Sequence, residues 1–158
     1  MVLLIYKEGI DMKIVKGNLK CLKDLIPLFN GYRMFYGQPS DEEGAKNFLL
    51  ARIQNEESVI YIAYLEDKPV GFVQLYPFFS SVAMKRAFIL NDLFVDPAYR
   101  KEGVGKALMK EAFQFCEEEK SRFVTLQTAT NNYNAKALYE QMGMHIDNEC
   151  DYYIKYLN

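Results

Sequence analysis

Two glycines, Gly103 and Gly105, open what reads as an amphipathic helix, directly after Arg100 and Lys101 and beside Lys106. Glycines let a backbone approach a ligand closely, and the free amides of a helix start carry partial positive charge. With three cationic side chains nearby, the segment has the chemistry of a polyanion site, and a pyrophosphate fits it. Two other phosphate motifs do not. A G-x-x-x-x-G-K-[ST] loop for magnesium–ATP would need glycine at 100 and a hydroxyl residue at 107, where Arg100 and Ala107 stand. A dinucleotide fingerprint would need glycine or alanine at 108, where Leu108 stands, and should follow an early strand.

The elements that must position this loop follow from the apolar patterning. Residues 12–16 read as a first strand. Leu22, Leu25, Ile26, Phe29 and Tyr36 recur at helical spacing, and Pro27 implies a start near Asp24 or a kink. Ser40-Asp41-Glu42-Glu43 reads as a capping box, with Ser40 as the cap of a second helix to about residue 55. Strands are expected over 58–65, 70–79 and 86–95, the last running into Asp96-Pro97. Val104, Ala107, Leu108, Ala112 and Phe115 give the helix after the loop one apolar stripe. A strand over 123–128, a helix over 134–142 closed by Gly143, and one or two strands in the tail complete the reading. The order predicts an α/β fold, a mixed and mostly antiparallel sheet with helices on both faces.

Composition removes several classes of function. The 158 residues are 50% apolar, enough for one packed core, and no linker or repeat divides them. A net charge of −2 disfavours a nucleic-acid binder, which would show a basic face. Cys21, Cys116 and Cys150 are odd in number and widely spaced, and His145 is the single histidine, so neither a disulfide framework nor a metal site is expected. Reduced thiols point to a cytoplasmic protein. No apolar run reaches the ~20 residues that span a bilayer, and no membrane partner is expected. Residues 1–11 are read as a leader or an appended stretch ahead of Met12, and residues 12–158 as the domain.

The loop Arg100-Lys101-Glu102-Gly103-Val104-Gly105 resembles the acetyl-CoA loop, Q/R-x-x-G-x-G/A, of the GNAT N-acetyltransferase superfamily. A second segment, Asn132-Tyr133-Asn134-Ala135-Lys136-Ala137-Leu138-Tyr139-Glu140-Gln141-Met142-Gly143-Met144, is similar to the same superfamily's N-x-x-A-x-x-L-Y-E-x-x-G-F signature, departing only at Met144. Together they cover roughly the C-terminal half. Residues 30–39 with Leu90 to Val95 are locally similar to a histone and polyamine acetyltransferase subgroup.

The resemblance implies a GNAT-like fold and transfer of an acetyl group from acetyl-CoA to an amine, on a small molecule or a lysine side chain, by direct attack in a ternary complex. It implies that Arg100, Lys101, Gly103, Val104, Gly105 and Lys106 hold the pyrophosphate. Asn132 would contact the CoA arm, and backbone groups of Phe94 and Val95 would bind the pantetheine. Tyr139 would protonate the leaving thiolate, although Ala135, Leu138, Tyr139 and Met142 also form an ordinary apolar helix face.

A base must take the amine's proton, and a carboxylate on the strand before the loop commonly does so in the family. Asp92 is the candidate. By strand alternation Asp92 and Phe94 share one face, with Asn91, Leu93 and Val95 on the other. Relatives that acetylate polyamines carry glutamate where Asn91 stands. Tyr32, Tyr36 and Asn91 are the candidate substrate-binding residues, with Arg33, Phe35, Tyr76, Phe78 and Phe79 as neighbours that could pack on an amine. Asp41, Glu42 and Glu43 read as a solvated helix start. Cys116 falls on a buried stripe, which argues against an acyl-enzyme. A homodimer is expected, paired through the alternating tail. The competing reading is a non-catalytic acyl-CoA sensor or interaction module of the same fold.

Overall fold

The computed structural model describes the backbone of residues 2–7 and 10–157, and the side chains of residues 11–157. Two compact units are present, Met1–Gln127 and Thr128–Asn158. The first is built on a six-stranded sheet whose strands lie side by side in chain order: β1 (Val2–Lys7), β2 (Ile10–Lys16), β3 (Val59–Leu65), β4 (Lys68–Ser80), β5 (Lys85–Val95) and β6 (Val124–Thr125). Every pairing is antiparallel except β5 with β6. A mixed, mostly antiparallel sheet was expected. The segment ahead of Met12, read from the sequence as a leader, contributes the outermost strand, with Val2 opposite Val15 and Lys7 opposite Ile10.

The central strands β3 and β4 are nearly continuous apolar runs because both of their faces are covered. On one face, α1 (Leu22–Phe35) and α2 (Glu42–Gln54) pack through Leu25, Leu28, Phe29, Ala45 and Leu49 against Ile60, Ile62 and Phe72. On the other lies α3 (Val104–Glu118), which buries Val104, Ala107, Leu108, Met109, Ala112 and Cys116. Its Phe115 ring stands edge-on to Tyr61 and Phe88 of the sheet. Burial at about 25 cal/mol per Å² of apolar surface makes these two layers the main source of stability.

Pro27 is the sixth residue of α1, which nevertheless starts at Leu22. A proline there removes one early intrahelical bond and is carried by the packing of Leu25, Leu28 and Phe29 around it. The cap of α2 lies one residue beyond the expected one: the Asp41 carboxylate accepts from the Gly44 amide at 2.8 Å. The Ser40 hydroxyl instead accepts from Nδ2 of the buried Asn30, whose Oδ1 takes the Asp41 amide. Asn30 thus ties the start of α2 to α1, which fixes one wall of the cleft described below.

Glu111 faces the sheet from α3, 3% exposed, and its Oε2 has no hydrogen-bond partner among the described residues. Burial, and then the Glu118 charge, push its carboxyl pKa up. The folded state therefore holds this proton more tightly than the unfolded chain, and stability is lost as pH rises through and above the ordinary carboxylate range. Glu111→Gln is expected to raise stability near pH 7 and to flatten the pH dependence of the melting temperature, readable by calorimetry.

In the second unit, α4 (Tyr133–Gln141) is followed by Gly143 at φ +86°. No strand follows α4 among the described residues, so the expected tail strands are not formed. Likewise the expected strand over 123–128 is only two residues long. No helix of the described residues is long and apolar enough to cross a membrane.

Candidate active site

A cleft of about 430 Å³ opens on the sheet face that carries α1 and α2. From α1 it is lined by Phe29, Tyr32 and Arg33, from the start of α2 by Asp41, Gly44 and Phe48, and from the sheet by Tyr76, Asn91 and Asp92. Sequence alternation placed Asn91 on the face opposite Asp92. The structure corrects this. Leu75 pairs with Leu90 and Gln74 with Asp92, so Asn91 is an extra residue in β5. Such a bulge turns its residue out of the pleat, and it brings Asn91 and Asp92 into the same cleft. The Asn91 carbonyl is turned far enough out of the ladder to accept from the Tyr32 hydroxyl at 3.0 Å.

Gly31 permits that contact. A Cβ there would lie 3.0 Å from Cζ of the Phe94 ring, so any larger residue would have to push that ring aside for α1 to settle this closely on β5. Asp92 and Phe94 share a face as expected, since they pair with Gln74 and Phe72, whose side chains lie toward α1.

Asp92 is 2% exposed. Its carboxylate accepts from Gln74 Nε2 and, at 2.8 Å, from Asn91 Nδ2. The Ser58 hydroxyl donates to Gln74 Oε1 at 2.8 Å, which fixes the amide so that its nitrogen faces Asp92. Burial raises the Asp92 pKa above the usual carboxylate value, while Gln74, Asn91 and Tyr32 pull it back. Burial first and the Asp92 charge second also raise the Tyr32 and Tyr76 hydroxyls, so both phenols stay protonated. Gln74 and Ser58 were missed from the sequence. The available signal was a single amide inside the apolar run Val70 to Tyr76, since a buried polar group needs a partner.

Other expected residues fall differently. Tyr36 sits edge-on to Tyr32 at 5.0 Å and does not line the cleft. Phe78 packs on Phe123, and Phe79 is exposed beneath Arg86, so of the three aromatics near the end of β4 only Tyr76 reaches the cleft. Asp41, read as a solvated helix start, lines it. Cys116 is buried, which pushes its thiol up to about 12 and leaves no thiolate at neutral pH.

Beyond the bulge, β5 runs into the glycine loop. Lys101 at φ +67° and Gly103 at φ +82° flank Glu102, and Gly103 is the cap residue of α3. The first turn of α3 contains no acidic residue, and no side chain caps its amides. The Arg100 Nε donates to the Val95 carbonyl at 3.2 Å, and its guanidinium lies over the Phe35 ring. On the outer edge of β5, β6 pairs only with Phe88 and Ile89, so Leu90 to Val95 have no β6 partner.

In the second unit, the side-chain Oδ1 of Asn132 caps α4 by accepting from the Ala135 amide, and its Nδ2 donates to the Thr128 hydroxyl. Each polar atom of the Asn132 side-chain amide keeps capacity for one further hydrogen bond, the capacity that a contact to a CoA arm would use. Tyr139 is half-buried on α4, two turns after that cap.

Residues 25–144 match the acetyltransferase (GNAT) family. The chain is 50% identical over 123 residues to the uncharacterized N-acetyltransferase YhfO of Bacillus subtilis, covering 78% of this chain and 83% of that protein. A crystal structure of a probable acetyltransferase superposes with a TM-score of 0.88 at 38% identity, over 92% of this chain and 97% of that one. At 19% identity, an aminoglycoside N-acetyltransferase, AAC(6')-Iy in complex with CoA, shares the fold with a TM-score of 0.76 over 96% of this chain and 99% of that one. A family match spanning both sequence motifs, together with this sheet and its uncapped glycine-led helix, places the chain in the GNAT family, as an acetyltransferase that acts on an amine.

Proposed function

We propose that the cleft is the acceptor site, with Asp92 as general base and acetyl-CoA bound along the outer edge of β5 and the start of α3. The observation that carries this reading is the buried Asp92 carboxylate that lines the cleft beside the bulged Asn91. It is held ionisable by two amides, and burial moves its pKa toward neutrality, the range in which a base works best.

The residues present fit a pyrophosphate. The α3 amides are uncapped, the first turn has no acid, and open space surrounds the position where a Cβ of Gly103 would stand. Arg100, Lys101 and Lys106 would add charge, and the backbone of Gly103, Val104 and Gly105 the hydrogen bonds. Acetyl-CoA supplies the thioester carbonyl that the amine attacks. Asp92 takes the amine's proton, directly or through one water. A backbone amide near Phe94 faces the charge that develops on the acetyl oxygen. Tyr139 gives its proton to the departing sulfur. Asn132, as the cap of α4, positions the helix that carries Tyr139.

The test is release of CoA thiol from acetyl-CoA against polyamines, amino acids, aminoglycosides and lysine peptides. Acceleration well above the no-amine rate by one class supports the reading, and no acceleration by any class overturns it. Gly103→Ala checks the loop separately. A side chain at positive φ costs about 1–2 kcal/mol of stability. The KM for acetyl-CoA is expected to rise about tenfold through one weakened charge-assisted bond, with the acceptor KM unchanged.

A further inference from the structure

Arg33 projects from α1 into the acceptor cleft. It is half-buried, its Nη1 is shielded from solvent, and that nitrogen has no hydrogen-bond partner among the described residues. Among the described residues no ion pair involves Arg33 either, although Asp41 lines the same cleft. The Asp41 carboxylate is engaged with the Gly44 amide, and Asp92 with Gln74 and Asn91. A guanidinium N–H without an acceptor, out of water, is costly unless a ligand supplies one.

A second guanidinium stands nearby. Arg52 lies over the Phe48 ring at 4.7 Å, and its charge lowers the Tyr76 hydroxyl pKa, both rings being part of the cleft wall. Phe48 therefore already has its cation, while Glu57 balances the Arg52 charge at 2.5 Å, so the uncompensated guanidinium of the cleft among the described residues is that of Arg33. One ammonium beside Asp92 and one anionic group beside Arg33 would leave neither end unpaired.

From this we infer that the acceptor is a small amine that also carries a carboxylate, an amino acid or amino-acid-like molecule, with Arg33 as the specificity-determining residue that takes the carboxylate. The inference rests on the acetyl-transfer reading of this cleft. A guanidinium fork matches a carboxylate bidentately, and a volume of about 430 Å³ suits a molecule of that size.

The test compares matched pairs in the thiol-release assay: phenylalanine with phenethylamine, leucine with 3-methylbutylamine, and lysine with cadaverine, with spermidine alongside. The wild-type enzyme is expected to prefer at least one acid over its decarboxylated partner. Arg33→Gln should raise the KM for that acid about 10- to 100-fold and abolish the preference over the decarboxylated amine. Arg33→Lys should recover part of it, which separates recognition from folding. Equal or better turnover of the decarboxylated amines or spermidine by the wild type overturns the carboxylate inference alone. Saturable acetyl-CoA binding with no amine accelerated overturns it together with the acetyl-transfer reading.

Discussion

Replacing Tyr139 with phenylalanine is expected to lower kcat about 10²- to 10³-fold, the range for loss of a positioned general acid. The dissociation constant of acetyl-CoA should stay unchanged. The ring remains, so the apolar face of α4 formed with Ala135, Leu138 and Met142 is preserved and the melting temperature should hold. The deficit should belong to sulfur departure. A thioester whose thiol is more acidic leaves without a proton, and on such a donor Tyr139→Phe should approach wild-type rates. Unchanged turnover of acetyl-CoA in the variant would remove Tyr139 from the chemistry and leave it a packing residue.

Asp92→Asn should cost about 10²- to 10⁴-fold in kcat/KM at neutral pH, and its pH profile should carry more information than its rate. With Asp92 as the proposed base, its ionised form is the active one, and burial raises its pKa, so kcat/KM is expected to fall as pH drops through that value. The asparagine variant should lose this acidic limb, and its deficit should narrow at alkaline pH, where bulk water delivers a neutral amine. Gln74 gives an independent check. Its amide stabilises the ionised carboxylate, so Gln74→Leu raises the pKa further and should move the acidic limb to higher pH. A limb that stays in place in both variants would assign proton removal to another group.

Part of the candidate site was legible in the residues. The loop from Arg100 to Gly105 and the segment from Asn132 to Gly143 are local in sequence, and their spacing specifies a strand-to-helix turn and a capped helix without reference to the rest of the chain. Asp92 was a candidate through the resemblance, which implies a carboxylate on the strand before the loop. The acceptor side was less accessible, because it is assembled from four elements far apart in the chain. Tyr32, Asp41, Tyr76 and Asn91 meet only after α1 packs on β5 through Gly31.

The bulge was invisible because period-two patterning assumes one residue per step, and nothing in Leu90-Asn91-Asp92 marks an extra one. Asp41 and Ser40 both suit a helix cap. The choice between them was made by Asn30, ten and eleven residues away, whose amide claims the serine hydroxyl and the aspartate backbone. The tail alternates like a strand, yet alternation without a partner edge forms none, and residues 144–157 carry no strand.

The extra residue in β5 also separates what the sheet needs from what the site needs. Without Asn91, Leu90 would sit directly before Asp92, and the pairs Leu75 with Leu90 and Gln74 with Asp92 would follow one another in unbroken register. Every side chain from Phe88 to Val95 would keep its present face. A deletion of this one residue would therefore yield a more regular hairpin and a chain still able to fold. It would also remove the carbonyl that Tyr32 binds and take from Asp92 one of its two amide donors. The shortened protein would be a well-made scaffold with its acceptor site erased, a background on which other acceptor pockets could be built.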